Sequence, residues 1–210
     1  MELELKRGGR TARVETLGGE LVSYRDERGL EYIWGGDPAY WPGRNPLLFP
    51  IVGMLKEGKI RFDGREYAME RHGFARRREF TPAARGEDWV RLELRESAET
   101  LALYPYPFRL AVEQRLTDTG FSTAVTVANP GEGPLPFCLG AHTGFRCPLE
   151  AGERFEDYEL VFPERESCPT LLLRDGLLDR PAALPCLEDT DTLPLDYRWF
   201  DAQSHERLGP

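Results

Sequence analysis

The chain has 210 residues, of which 40% are hydrophobic and 30% charged, as in ordinary soluble globular domains. Its formal net charge of −9 argues against a nucleic-acid partner, because binding to phosphates depends on an excess of Lys and Arg. No apolar run is long enough to cross a bilayer, and the first residues lack the apolar core of a signal peptide. We therefore expect a cytoplasmic protein with no membrane partner.

The four cysteines form neither a Cys-x-x-Cys pair nor a set with a histidine at metal-ligand spacing: Cys138, Cys147, Cys168 and Cys186. A disulfide scaffold is typical of shorter secreted chains. We therefore predict reduced thiols that mostly fill the core, and no bound metal.

Alternation of polar and apolar residues dominates the chain and predicts strands with one solvated face. A short helical turn is predicted first, at Asp37–Trp41, with Pro38 at the first helical position. A hairpin follows, with strands Lys59–Phe62 and Arg65–Met69 on either side of Asp63-Gly64, a strong two-residue turn signal.

The second half predicts further strands and one more short helix. The helix starts after Ser97 and is stopped by Tyr104-Pro105. The predicted strands are Trp89–Arg95, Phe108–Leu116, Phe121–Ala128, Leu135–Ala141 and Tyr158–Phe162. This order predicts an all-β protein, built as one antiparallel β-sandwich domain over residues 1–202.

Two of the three histidines lie in closely similar settings. His72 is followed by Gly73-Phe74, and His142 is followed by Thr143-Gly144-Phe145. Each follows an apolar stretch, which predicts an imidazole at the end of a strand, with glycines that allow close approach and phenylalanines that offer an apolar wall. Imidazole is well matched to proton transfer near neutral pH, so the pair predicts an acid/base site. Taken singly, each is better interpreted as a buried imidazole satisfied by a backbone carbonyl.

The stretch Arg44–Gly53 combines polar side chains with a proline-bounded strand, next to Trp34, Tyr40 and Trp41. Sugars are bound by this combination, since aromatic faces stack on C–H groups and Arg or Asn donates to hydroxyls. From the stretch alone, a core strand with a surface arginine and packing aromatic rings is the preferred interpretation.

Together, the two histidine segments and the Arg44–Gly53 stretch resemble the aldose 1-epimerase (galactose mutarotase-like) family, and within it the bacterial LacX-like branch. The resemblance begins near Gly18-Gly19-Glu20-Leu21 and extends to about Phe200. His-Gly-Phe-Ala-Arg at 72–76 followed by Gly-Ala-His at 140–142 is a fairly specific combination, although either motif alone is weak.

The resemblance implies a β-supersandwich and a reaction that interconverts the α and β anomers of an aldose. One group takes the proton of the anomeric hydroxyl while another protonates the ring oxygen. The ring then opens, the C1–C2 bond rotates, and the ring closes on the other face. This reaction needs no metal, nucleotide or redox cofactor.

The resemblance also implies roles for individual residues. His142 is similar to the general acid that protonates the ring oxygen, and His72 to a second contact that orients the sugar. Arg44, Arg76 and Asn45 would bind the substrate, with the arginines serving hydroxyls or, in a hexose phosphate, the phosphate. For Arg76 and its two neighbours, a solvated basic run is the competing interpretation.

The family's general base is a glutamate on a late strand, for which we find no counterpart. Glu188 is a candidate substitute, but its segment matches the Leu-Pro-Leu region that precedes the family's final strands. After Ala202 the resemblance stops, and the polar tail 203–210, with a His205 expected to be exposed, has no strand pattern. We therefore expect a sandwich without its closing strands: a fragment, a shifted reading frame or a natural short form.

Two consequences follow from these expectations. A sandwich without closing strands exposes strand edges, which predicts self-association into a homo-oligomer or marginal stability. Without the base, activity could be impaired, and a non-catalytic carbohydrate-binding module that uses the same cleft is the alternative function. A purely structural domain and a glycoside hydrolase, which needs two facing carboxylates, are the weaker alternatives.

Overall fold

The computed structural model describes residues 1–197, with the backbone alone for 170–172 and 179–185. The chain forms two compact units, Met1–Arg146 and Cys147–Pro210. The single domain over residues 1–202 stays a prediction, and the tail 203–210 lies outside the described residues.

The first unit begins with an antiparallel sheet in the order β1-β2-β3. Its strands are β1 (Glu2–Arg7), β2 (Arg10–Glu15) and β3 (Glu20–Arg25). In β1, Leu3 and Leu5 are buried while Glu2 and Glu4, which alternate with them, are exposed, as a strand with one solvated face requires.

The predicted hairpin near residue 60 is confirmed. After β4 (Leu47–Leu48), β5 (Lys59–Phe62) pairs antiparallel with β6 (Arg65–Ala68). The turn residues Asp63 and Gly64 both have positive φ, 48° and 78°, as a two-residue hairpin turn requires. At 38–40 the predicted helical turn is a single turn, in which Trp41 donates its backbone N–H to the carbonyl of Asp37 at 2.8 Å.

A four-stranded antiparallel sheet follows in the order β10-β9-β8-β7. It consists of β7 (Thr81–Arg85), β8 (Trp89–Arg95), β9 (Arg109–Leu116) and β10 (Phe121–Ala128), which confirms three predicted strands. The predicted helix is α1 (Ala98–Leu103), capped by the Ser97 hydroxyl, which accepts from Thr100 N at 3.2 Å.

The core of the first unit joins these two sheets. It takes Leu5, Val14 and Leu21 from the three-stranded sheet and a larger apolar set from the four-stranded sheet: Val90, Leu92, Leu110 and Val112. Phe49 stands in an aromatic cluster with Phe74, Tyr104 and Phe108, its ring centroid 5.2 to 6.2 Å from theirs. This cluster holds the segment after β4, through Phe49, against the segment that carries His72, through Phe74.

Two predicted strands are much shorter than expected. The strand expected within Arg44–Gly53 is only β4, and the one expected at Leu135–Ala141 is only β11 (Gly140–Ala141), which pairs with β4. Prolines are the reason: Pro46 and Pro50 accept through their carbonyls, from His142 N and Cys138 N, but have no N–H to return.

The second unit contains a long antiparallel hairpin of β12 (Glu159–Arg174) and β13 (Leu177–Pro194). A one-turn 3-10 helix at Phe155–Asp157 precedes it. The predicted strand at Tyr158–Phe162 covers only the beginning of β12. The prolines further along the sequence indicate breaks in a strand, but the ladder between β12 and β13 continues through four register shifts.

The cysteines correct one expectation. All four are free, but Cys138 and Cys168 are exposed and the other two half-buried, so they do not fill a core. Among the described residues, no helix has both the length and the apolar character needed to cross a membrane.

Candidate active site

Both the backbone and the imidazole ring of His72 form hydrogen bonds to Gly53. It lies in the turn between β6 and the 3-10 helix Ala75–Arg77 rather than at the end of a strand, which corrects that expectation. Its N–H donates to the carbonyl of Gly53 at 2.8 Å, and its ring Nδ1 accepts from Gly53 N at 3.0 Å. Because Nδ1 accepts, the proton of the neutral ring belongs on Nε2, which is left as a donor.

The surroundings of His72 favour this neutral form. Burial lowers the pKa of His72 below its ordinary value, and electrostatic repulsion from Arg76 and Arg71 lowers it further. A neutral imidazole with a fixed tautomer can donate a hydrogen bond to a sugar oxygen without carrying charge into the site.

The glycine after His72 allows the chain to pass close to β4. A Cβ on Gly73 would lie 2.2 Å from the carbonyl oxygen of Phe49, and Gly73 itself has φ of 68°. Phe74 then turns into the core, where it is only 5% exposed, so it is not the apolar wall expected beside His72. Phe145 is 63% exposed and remains available for that role.

Arg76 places a partly buried guanidinium next to His72. Its Nη2 donates to the carbonyl of Arg71 at 3.0 Å, while its Nε is buried with no hydrogen-bond partner within residues 1–197. Burial, assisted by Arg77, lowers the pKa of Arg76. A buried donor without a partner costs about 1–3 kcal/mol, so an acceptor from a ligand or a water would be favoured here.

His142 follows β11 and is exposed. Its N–H donates to the carbonyl of Pro46 at 3.1 Å, and its ring meets Trp41 edge-on, with 5.0 Å between ring centroids. Trp41 is in turn enclosed by glycines, since a Cβ on Gly43 or on Gly144 would lie 2.7 Å from its ring. The imidazole therefore stands at the end of a strand, as predicted, with an aromatic side support.

The Arg44 and Asn45 side chains are both anchored. Arg44 donates from Nε to the carbonyl of Gly35 at 3.3 Å, and its Nη1 lies 3.9 Å from Glu15 Oε1. Asn45 is buried, and its Oδ1 accepts from the Thr143 hydroxyl at 2.6 Å. Its amide nitrogen is the group left to serve a ligand.

The structure thus brings the five predicted residues together in the first unit. His72 and Arg76 lie on one loop, and Arg44, Asn45 and His142 lie on two segments that bond to each other. Both groups bond to the segment 46–53, since His142 N donates to the carbonyl of Pro46 and His72 N to that of Gly53. A cluster of two imidazoles and two guanidiniums can donate hydrogen bonds to a hydroxylated ligand and supply a proton to it.

Comparison with known proteins identifies the family to which the chain belongs. The aldose 1-epimerase family model matches residues 1–180. The chain belongs to the aldose 1-epimerase family. Protein LacX of Lactococcus lactis, encoded on a plasmid, is 41% identical to this family member in an alignment that covers 99% of the chain and 73% of LacX.

Solved structures show the same family fold. A galactose mutarotase related enzyme from Lactobacillus acidophilus superposes with a TM-score of 0.89 at 27% identity, over 96% of the chain and 67% of that protein. A galactose mutarotase-like protein from Lactobacillus casei gives 0.82 at 30% identity, over 94% and 68%. The all-β, galactose mutarotase-like architecture is therefore confirmed for this aldose 1-epimerase family member.

Several residues that organise the site were not predicted from the sequence. Gly53 fixes the tautomer of His72, Thr143 anchors Asn45, and Glu20 Oε1 accepts from the backbone of Arg44 and Asn45. Thr143 directly follows a predicted histidine, which is the one signal that could have identified it. The other two act across 19 to 25 residues of chain, and nothing local marks them.

Proposed function

We propose that this aldose 1-epimerase family member is a cytoplasmic isomerase that interconverts the α and β anomers of a hexose or a hexose phosphate. Ring opening moves one proton from the anomeric hydroxyl to the ring oxygen by way of protein or water groups, and closure reverses this on the other face. No atoms are gained or lost, so no co-reactant is required.

The observation that carries this proposal is that both histidine motifs bond to the segment 46–53, His142 N to the carbonyl of Pro46 and His72 N to that of Gly53. His142, exposed and braced by Trp41, is assigned as the acid that protonates the ring oxygen. His72, neutral and with its proton on Nε2, is assigned as the donor that orients the sugar. A positioned acid of this kind contributes about 10²- to 10⁴-fold to a rate.

The arginines are assigned to substrate binding. Arg76 has a buried Nε that lacks a protein partner in the described residues, so a sugar hydroxyl or a phosphate oxygen would complete it. Arg44 is held by a carbonyl and a distant carboxylate, and its remaining N–H groups can serve hydroxyls. Asn45 is assigned to donate through its amide nitrogen.

The proton of the anomeric hydroxyl needs an acceptor, and we assign this role to water. Glu188, the substitute that the sequence offers for the family's glutamate, lies in β13 of the second unit, in a segment that matches the region before the family's final strands.

Polarimetry tests the proposal directly. Freshly dissolved α-D-glucose and α-D-galactose are followed with wild-type protein, His142→Ala and His205→Ala, the last a histidine that belongs to neither motif. We expect wild type and His205→Ala to accelerate mutarotation equally and His142→Ala to lose about 10²-fold or more.

Two results would contradict the assignment. Equal rates for His142→Ala and wild type would remove His142 as the acid. Wild type without any acceleration, but with sugar-dependent shifts in its NMR spectrum, would establish the carbohydrate-binding module instead of the isomerase.

A further inference from the structure

We propose that Glu20 is a positioning residue for this site. Its carboxylate fixes the backbone at Arg44 and Asn45 and, through them, the segment that carries His142. The inference deepens the proposed function and rests on it for the catalytic consequence, but the geometry that it describes can be measured separately.

One carboxylate oxygen makes two backbone contacts. Glu20 Oε1 accepts from Arg44 N at 2.9 Å and from Asn45 N at 2.5 Å. Hydrogen bonds to an ionised carboxylate are about twice as strong as neutral ones. Arg44 and Asn45 immediately precede Pro46 and the two-residue strand β4, where the sheet ladder offers little support of its own.

Three further bonds carry this constraint to His142. The carbonyl of Arg44 accepts from Gly144 N at 2.6 Å, and the carbonyl of Pro46 accepts from His142 N at 3.1 Å. The Thr143 hydroxyl donates to Asn45 Oδ1 at 2.6 Å. A shift of residues 44–46 would therefore move 142–144 with them.

The same corner of the chain also touches the Arg76 segment. Gly18 N donates to the carbonyl of Arg78 at 2.8 Å, and a Cβ on Gly18 would lie 3.1 Å from the carbonyl oxygen of Arg76. Gly18 has φ of 72°, which a glycine adopts without strain. The turn before β3 and Glu20, the first residue of β3, therefore set the spacing between the segment of Arg44 and the segment of Arg76.

The test compares three variants. Glu20→Ala removes the acceptor, Glu20→Gln keeps a carbonyl oxygen at the same reach, and Asp26→Ala is the matched control. Asp26 Oδ1 also accepts from two backbone N–H groups, of Arg28 and Leu30, but both contacts lie within one turn. Each variant is measured by polarimetry and by NMR of the Arg44 and Asn45 amides and the His142 imidazole.

We expect Glu20→Ala to lose about 10- to 100-fold in kcat/KM, the scale of a misplacement of about 1 Å. Its Arg44 and Asn45 amides should exchange faster with solvent, and its His142 signals should shift. Glu20→Gln should recover most of the rate and wild-type signals, and Asp26→Ala should leave both readouts at wild-type values.

Unchanged Arg44 and Asn45 amides and His142 signals in Glu20→Ala would overturn the inference. Changed signals with an unchanged rate would overturn it as well, provided that wild type is active. If wild type proves inactive, the proposed function fails, and the amide and imidazole signals alone decide for or against Glu20.

Should Glu20→Ala not fold, Glu20→Asp replaces it. Aspartate keeps the charge but is one methylene too short to reach both amides, so it should resemble a loss of Glu20, whereas glutamine should not. If Glu20→Asp behaved like wild type and Glu20→Gln did not, the site would depend on the negative charge at residue 20 and not on the position of the oxygen that accepts from both amides.

Discussion

The imidazole of His72 divides its two nitrogens between the protein and the ligand. Nδ1 accepts from Gly53 and holds the ring, while Nε2 faces away from that bond and can donate to a ligand. The residue also has φ of 67°, a left-handed conformation that costs an L-residue about 1–2 kcal/mol. The hydrogen bond to Gly53 offsets that strain. His72 can therefore support the fold through Nδ1 and the reaction through Nε2, and these two roles predict different effects of substitution.

Substitution of His72 can separate these roles. Asparagine tolerates positive φ and can place Oδ1 where Nδ1 accepts, but it has nothing at the position of Nε2. We expect His72→Asn to melt close to wild type and to lose at least tenfold in mutarotation rate. His72→Ala should lose the same activity and also about 1–3 kcal/mol of unfolding free energy, because it leaves Gly53 N without its acceptor.

Denaturant unfolding and polarimetry on the two variants check this. Loss of stability in both, to the same extent, would mean that Asn does not replace the Nδ1 contact. Full activity in His72→Asn would remove the Nε2 donor from the mechanism.

Among the elements, β5, β6, β8, β9 and β10 were predicted, whereas β1, β2, β3 and β7 were not, and the strands bounded by prolines were predicted too long. β5 and β8 alternate polar and apolar residues, and β9 and β10 are rich in apolar and β-branched residues between turn signals, so the sequence alone placed these four within a residue or two. At β4 and β11 the residue types favour strands, but the missing proline N–H groups leave a ladder of two residues. In β12 and β13 the error is the opposite, since bulges accommodate prolines that predict breaks.

The candidate site divides in the same way. The histidine motifs and Arg44 were predictable, because functional residue types in specific short patterns are visible along the chain. Glu20, Gly53 and Thr143 were not, because each acts on residues 19 to 98 positions away. Such contacts depend on the pairing of β4 with β11 and on the corner before β3, which only the folded chain brings together.

The pairing of β4 with β11 depends on a side-chain bond as well as on its short ladder. Thr143→Val removes the hydroxyl but keeps the shape, and leaves Asn45 Oδ1 buried without its donor. We expect a loss of about 1–3 kcal/mol of unfolding free energy and a weaker rate, because His142 is adjacent. Thr143→Ser retains the hydroxyl and should stay near wild type in both. Equal stability of the Val and Ser variants would show that this bond does not hold the segment.

At the scale of the whole molecule, the first unit presents a strand edge to solvent. β10 and β7 are the two outer strands of the four-stranded sheet in the described residues, and Ser122, Thr123, Ala124 and Thr126 along the longer one, β10, are exposed. An outer strand has a row of backbone donors and acceptors that can pair with another chain. Phe137 and Leu139, 44% and 40% exposed in the same unit, add apolar surface that water covers poorly.

This edge predicts self-association through β10. In sedimentation experiments the average mass of wild type should rise with protein concentration, and Thr126→Lys should suppress the rise, because a charge on an edge strand opposes pairing. Thr119→Lys adds the same charge in the adjacent turn, where it should have no such effect, and so controls for net charge. A wild type that stays a monomer at every concentration, with an ordinary melting temperature, would contradict the prediction. Equal suppression by both lysines would mean that the association is electrostatic in general and does not involve the edge.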